Sequence, residues 1–150
     1  MGKSTLALDF ARTAAVHHKL PTIFFSLDRT ILAAQRALSA SFFERPPEEP
    51  ILILLFETPG PYRRLAAEWF GHEEAPHFGF FLRGERVMLM NVGTGTGTLV
   101  HELVHALMAS DFPAAPDWFN EGLGSLYEQC SIEGESIRGH VNWRLPALQE

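Results

Sequence analysis

Only one cysteine, Cys130, occurs in 150 residues. This excludes an internal disulfide and a thiolate-rich metal centre, so any metal must be held by histidine and carboxylate. Basic residues are in deficit, with 12 Lys and Arg against 18 Asp and Glu, a formal charge of -6. General attraction to phosphate backbones is therefore missing, and no nucleic-acid partner is expected. Long apolar runs are missing too. The stretch over 51–56 is far below the roughly 20 residues that a membrane span needs. Lys3 and Asp9 break up the opening residues, leaving no apolar signal region or cleavage site, and the expected location is cytoplasmic by default. What remains is an ordinary globular composition, 46% hydrophobic and 20% charged. At this length it points to a single domain over 1–150. Oligomeric state is not encoded in any of these features.

The periodicities predict alternating helices and short strands. A helix is expected over 4–17 and a strand over 22–27, followed by a helix capped by Asp28 with Ile31, Leu32, Ala34, Leu38 and Phe42 on its apolar stripe. A second strand over 51–57 and a helix over 62–70, closed by Gly71, precede a polar loop over 72–77. Segments 78–82 and 87–91 flank Arg83, Gly84 and Glu85 as a hairpin would, so the sheet should end antiparallel. The glycine-threonine stretch after Asn91 lacks the Gly-Lys-Ser/Thr ending of a phosphate loop. It reads as a flexible lead-in, with Thr98 near a helix N-cap.

The helix that follows, over 99–110, contains His101-Glu102-Leu103-Val104-His105. Residues four apart on a helix lie about 40° apart around its axis, so both imidazoles leave one face a single turn apart and can grip one ion. Glu102 is offset by about 100° and can take a proton from a water at the metal without ligating it. With 7 His and 14 Glu in the chain, roughly 0.03 such patterns would arise by chance. The plain alternative is two satisfied helix histidines beside a solvated glutamate. A third ligand should come from a neighbouring helix. The segment over 116–130, just past a turn-like linker, offers Glu121 among Trp118, Phe119 and Leu123. An unpaired carboxylate in so apolar a neighbourhood would be costly.

Taken together, His101-Glu102-Leu103-Val104-His105 and Trp118-Phe119-Asn120-Glu121-Gly122 resemble the gluzincin zinc metallopeptidases of the peptidase MA superfamily, over about residues 27–150. The resemblance implies an α+β, zincin-like fold: a small mixed sheet with packed helices, an HExxH helix, and a following helix bearing the glutamate ligand. It further implies Zn²⁺ held by His101, His105 and Glu121, Glu102 as general base, and a peptide or protein substrate. Leu89-Met90-Asn91 is similar to the edge strand that aligns substrates by β-addition, which makes Asn91 a candidate substrate contact. Tyr127 and His140 are candidates for stabilising a developing oxyanion. Where some members carry an acidic residue one turn after the glutamate, this chain has Ser125. Residues 1–27 resemble the phosphate-loop helix and next strand of replicative DNA helicases, without the upstream strand and first loop glycine. Two other readings stay open: a non-catalytic, zinc-stabilised module and a nucleotide-binding fragment.

Overall fold

The computed structural model describes residues 27–45, 47–48, 51–71, 76–95 and 97–149. The helix expected over 4–17, the strand up to residue 26 and most of the loop over 72–77 lie outside these residues. Helix α1 spans Leu27–Phe42, so Leu27 and Asp28 belong to its first turn rather than to a strand end and a cap. Its buried positions Ala34, Ala37 and Leu38 recur at the three- and four-residue spacing of one helix face.

Strand β1, Leu52–Phe56, leads to helix α2, Pro59–Phe70. The helix starts three residues earlier than expected because prolines fill a first turn whose amides have no intrahelical partner anyway. Gly71 closes it at φ 67°, donating its N–H to the Ala67 carbonyl at 3.1 Å. Strands β2, Gly79–Leu82, and β3, Val87–Asn91, form the expected hairpin. The left-handed residue of its turn is Arg86, at φ 53°, and not the glycine. The sheet order is β1-β3-β2, with β1 parallel and β2 antiparallel to β3. The sheet is therefore mixed and the fold α+β.

Side-chain alternation divides the core across this sheet. Leu54, Phe56, Val87 and Leu89 pack with Tyr62, Leu65 and Ala66 of α2. Met88 and Met90 pack on the other face with Leu38 of α1 and with Leu103, Val104 and Leu107 of helix α3, Gly97–Asp111. Every residue of β3 is buried, as a strand covered on both faces requires. This corrects the edge-strand expectation for Leu89-Met90-Asn91: among the described residues β3 is the middle strand, and β2 lies at the edge.

Helix α3 begins at Gly97, which puts Thr98 inside its first turn. It is buried over most of its circumference. At its last residue, the Asp111 carboxylate accepts the Glu44 backbone N–H and Arg45 Nε, each at 2.8 Å, tying the end of α1 to the end of α3. The segment 112–116 then turns the chain into helix α4, Asp117–Glu128. This helix stops two residues short of the expected Cys130, where strand β4, Cys130–Glu133, begins. With β5, Ser136–Gly139, it forms a second hairpin that the sequence reading did not contain. A short helix α5, Leu145–Leu148, follows. No helix among the described residues is long and apolar enough to cross a membrane.

Candidate metal centre

Helices α3 and α4 run antiparallel in steps of four residues. His105 Nδ1 lies 3.0 Å from Asn120 Oδ1; one turn back, the His101 ring faces Gly124; a turn further back, Gly97 faces the Glu128 carbonyl. Two of these meetings require glycine. A Cβ on Gly97 would strike the Glu128 carbonyl oxygen, and a Cβ on Gly124 would sit 3.0 Å from His101 Cε1 and Nδ1. The helices can come this close only because these positions carry no side chain. Gly97 is therefore a packing position, where the sequence reading had only a flexible lead-in.

Between the helices, His101 Nε2 is 3.4 Å from one Glu121 oxygen and His105 Nε2 is 3.4 Å from the other. The imidazoles meet edge to face, with centroids 4.6 Å apart. A separation of 3.4 Å is longer than the usual 2.7–3.2 Å of an N–H···O hydrogen bond. The two rings face different oxygens of one carboxylate, and zinc is the ion that such ligands commonly hold. The donor set, two imidazoles and a carboxylate, suits that ion. One ligand atom each from His101, Glu102 and His105 also fall within 4.8 Å of one another. Thus the structure brings together all four residues named from the two motifs.

Each is held differently. Asn120 Oδ1 can only accept, so this contact selects a His105 ring that carries a proton on Nδ1 and turns Nε2 toward Glu121. The sequence reading had not assigned this role to Asn120. His101 is buried, and its Nδ1 has no hydrogen-bond partner among the described residues. Burial, and then the neighbouring His105, lower its pKa against the opposing pull of Glu121 and Glu128, which favours the neutral ring that a metal needs. Glu102 is buried as well. Loss of solvent raises its pKa to about 7, Glu121 pushes the same way, and His105 and the Phe81 backbone N–H oppose. A carboxyl poised near neutrality can both accept and return a proton.

Glu121 departs from the argument that singled it out. Its side chain is 65% exposed, and Trp118 and Phe119 are exposed beside it, so an apolar surrounding does not explain it. The two imidazoles do. The remaining candidates lie apart from this cluster or at its margin. Asn91 is buried at the end of the central strand, with its Nδ2 donating to the His77 carbonyl at 3.2 Å, and is closed to a substrate. Tyr127 is buried against Phe42, ring centroids 5.4 Å apart, as part of the core. His140 is exposed, its backbone N–H bonded to the Gln129 carbonyl at 2.7 Å, and it lines a groove that Glu121 also lines.

No protein-family profile matches the chain, and no solved structure matches it. Among curated proteins, a stretch of 28 residues is 79% identical to a replicative DNA helicase, DnaB, of Leifsonia xyli subsp. xyli (strain CTCB07). The stretch covers 19% of this chain and 6% of that helicase.

Proposed function

We propose that this chain is a zinc-dependent metallopeptidase of the gluzincin type, with a zincin-like fold. The observation that carries the reading is the Glu121 carboxylate set 3.4 Å from both imidazoles of the HExxH helix, with the Glu102 carboxyl buried beside them. His101, His105 and Glu121 would hold the ion. When bound there, zinc supplies Lewis acidity, polarising a carbonyl and acidifying a water.

The protein's own groups account for the rest. Glu102, buried beside the two imidazoles, takes the proton from the attacking water and returns it to the leaving amine. Asn120 fixes the His105 ring, and the bare backbone of Gly124 gives the His101 ring its place. The strand available to align an extended peptide is β2, which among the described residues pairs with β3 along one edge only. Because the Asn91 N–H bonds the Phe78 carbonyl, the antiparallel alternation turns the backbone groups of Gly79 and the Phe81 carbonyl away from β3, while the Phe81 N–H is already bonded to Glu102.

The test pairs metal content with hydrolysis of a quenched-fluorescence peptide library. Glu102→Gln should keep zinc and lose about 10²-fold or more in kcat/KM. Glu121→Gln should lose zinc and activity together. Wild-type protein that holds zinc and cleaves nothing in a broad library would leave the non-catalytic module instead. A fully active Glu102→Gln would refute the general-base assignment.

A further inference from the structure

Two depressions meet at Glu121, and their chemistry differs. One, of about 320 Å³, is bordered by His105, Asn120, Asp117 and Arg83. The other, of about 760 Å³, runs between α4 and the segment 139–145, walled by Leu126, Val141 and Trp143. These three side chains are 51%, 75% and 60% exposed. Large apolar groups left this open on one patch mark a surface meant to be covered.

The wall is fixed in place. Asn142 Nδ2 donates to the Ser125 carbonyl at 2.6 Å, and Arg144 Nε donates to the buried Glu128 carboxylate at 2.9 Å. The Arg144 guanidinium then lies 4.5 Å from the centre of the Trp143 ring, a cation–π contact that holds the indole. A pre-set pocket of this kind loses little entropy when it is filled.

Resting on the peptidase reading, we propose that this groove is a specificity pocket for one large apolar side chain, aromatic or leucine-like, next to the scissile bond of an extended peptide. The commitment to a peptide side chain rests on continuity. Glu121, which lines the groove, is also the carboxylate facing both imidazoles. A peptide crossing the candidate metal site would present neighbouring side chains to the two depressions. The apolar one selects Phe, Leu or Met, and excludes Asp, whose carboxylate would have to leave water beside Glu121.

The experiment uses the zinc-loaded full chain and blocked tetrapeptides differing at one central position: Phe, Leu, Ser or Asp. Binding is read by calorimetry, and hydrolysis of the same peptides by mass spectrometry. The Phe and Leu peptides should bind about 10-fold or more tightly than the Ser and Asp peptides. This preference should vanish in Trp143→Ser and in Val141→Asp, with zinc content unchanged. Equal binding of all four, or a preference that survives both substitutions, would overturn the proposal. So would failure of acrylamide to quench Trp143 in a Trp69→Phe, Trp118→Phe background, which would mean that another part of the chain or a second copy covers the groove. Preferential binding without cleavage would uphold the pocket and sink the peptidase reading; cleavage without preference would do the reverse.

Discussion

Alanine at position 124 puts the closest contact of the candidate centre to the test. Its Cβ would stand 3.0 Å from Cε1 and Nδ1 of His101 and 3.1 Å from Nε2. Carbon contacts are comfortable at about 3.5–4.0 Å, so the ring must retreat by about 0.5 Å. It is buried and has little room to do so. Metal sites accept ligand distances only within about ±0.2 Å, so zinc affinity should fall about 10- to 100-fold, the usual scale when a ligand loses its orientation. Stability of the metal-free fold should change by no more than about 2 kcal/mol. Gly→Ala inside a helix gains up to about 1 kcal/mol, while overpacking costs about 1–3 kcal/mol. Gly122, two residues earlier on the same helix, is the control, since its added Cβ would meet nothing within 4 Å. Gly122→Ala should raise Tm and leave zinc affinity alone. Competition with a chromophoric chelator, beside thermal melts with and without excess chelator, reads both effects. Zinc affinity of Gly124→Ala within about twofold of wild type would refute the argument, as would an equal loss in Gly122→Ala.

Two further outcomes follow from the same site. The folded pKa of Glu102, about 7 against 4.5 for the free side chain, means that its contribution is intact below the lower value and is lost as pH rises through the higher one. Metal-free wild type should therefore lose about 3 kcal/mol between pH 4.5 and 7 relative to Glu102→Gln, an order-of-magnitude figure from 1.36 kcal/mol per unit. Parallel urea-stability curves for the two proteins across that range would contradict it. At Asn120, leucine removes the acceptor that holds the His105 Nδ1 proton. Zinc affinity should drop about 10-fold, and nitrogen chemical shifts of His105 should report a mixed tautomer; an unchanged tautomer would refute the role.

The helix-borne part of the site was legible in the sequence because a helix converts spacing into direction. His101 and His105 had to share a face, and a second helix after a short linker had to return toward it. Strand positions were less legible. The run over 87–90 is apolar throughout, and such a run does not distinguish a central strand from an edge until the elements covering its two faces are known. The packing role of the glycines was not legible for a related reason. Whether Gly97 and Gly124 are loose or tightly packed depends on the register between α3 and α4, a relation between segments with no local signature. The second hairpin did leave a trace, in the alternation of Ile132 and Ile137 about Gly134, which adopts φ 60°.

The four-residue stepping of α3 against α4 also bears on the order in which the chain acquires structure. Every proposed donor, with Asn120 and Gly124, lies within the contiguous stretch 97–128, whose two helices are separated by five residues, 112–116. The parallel pairing of β1 with β3, by contrast, joins Leu52 to Val87 across a crossover containing a helix and a strand. Closing the short loop costs less chain entropy, and contacts near in sequence form sooner. A metal ion meeting the chain early would act on the helical hairpin before the sheet exists. The reverse holds for its removal. Chelation would first loosen the docking of α4 on α3, and amide exchange would rise along Asp117–Glu128 while β3, covered on both faces, stayed protected.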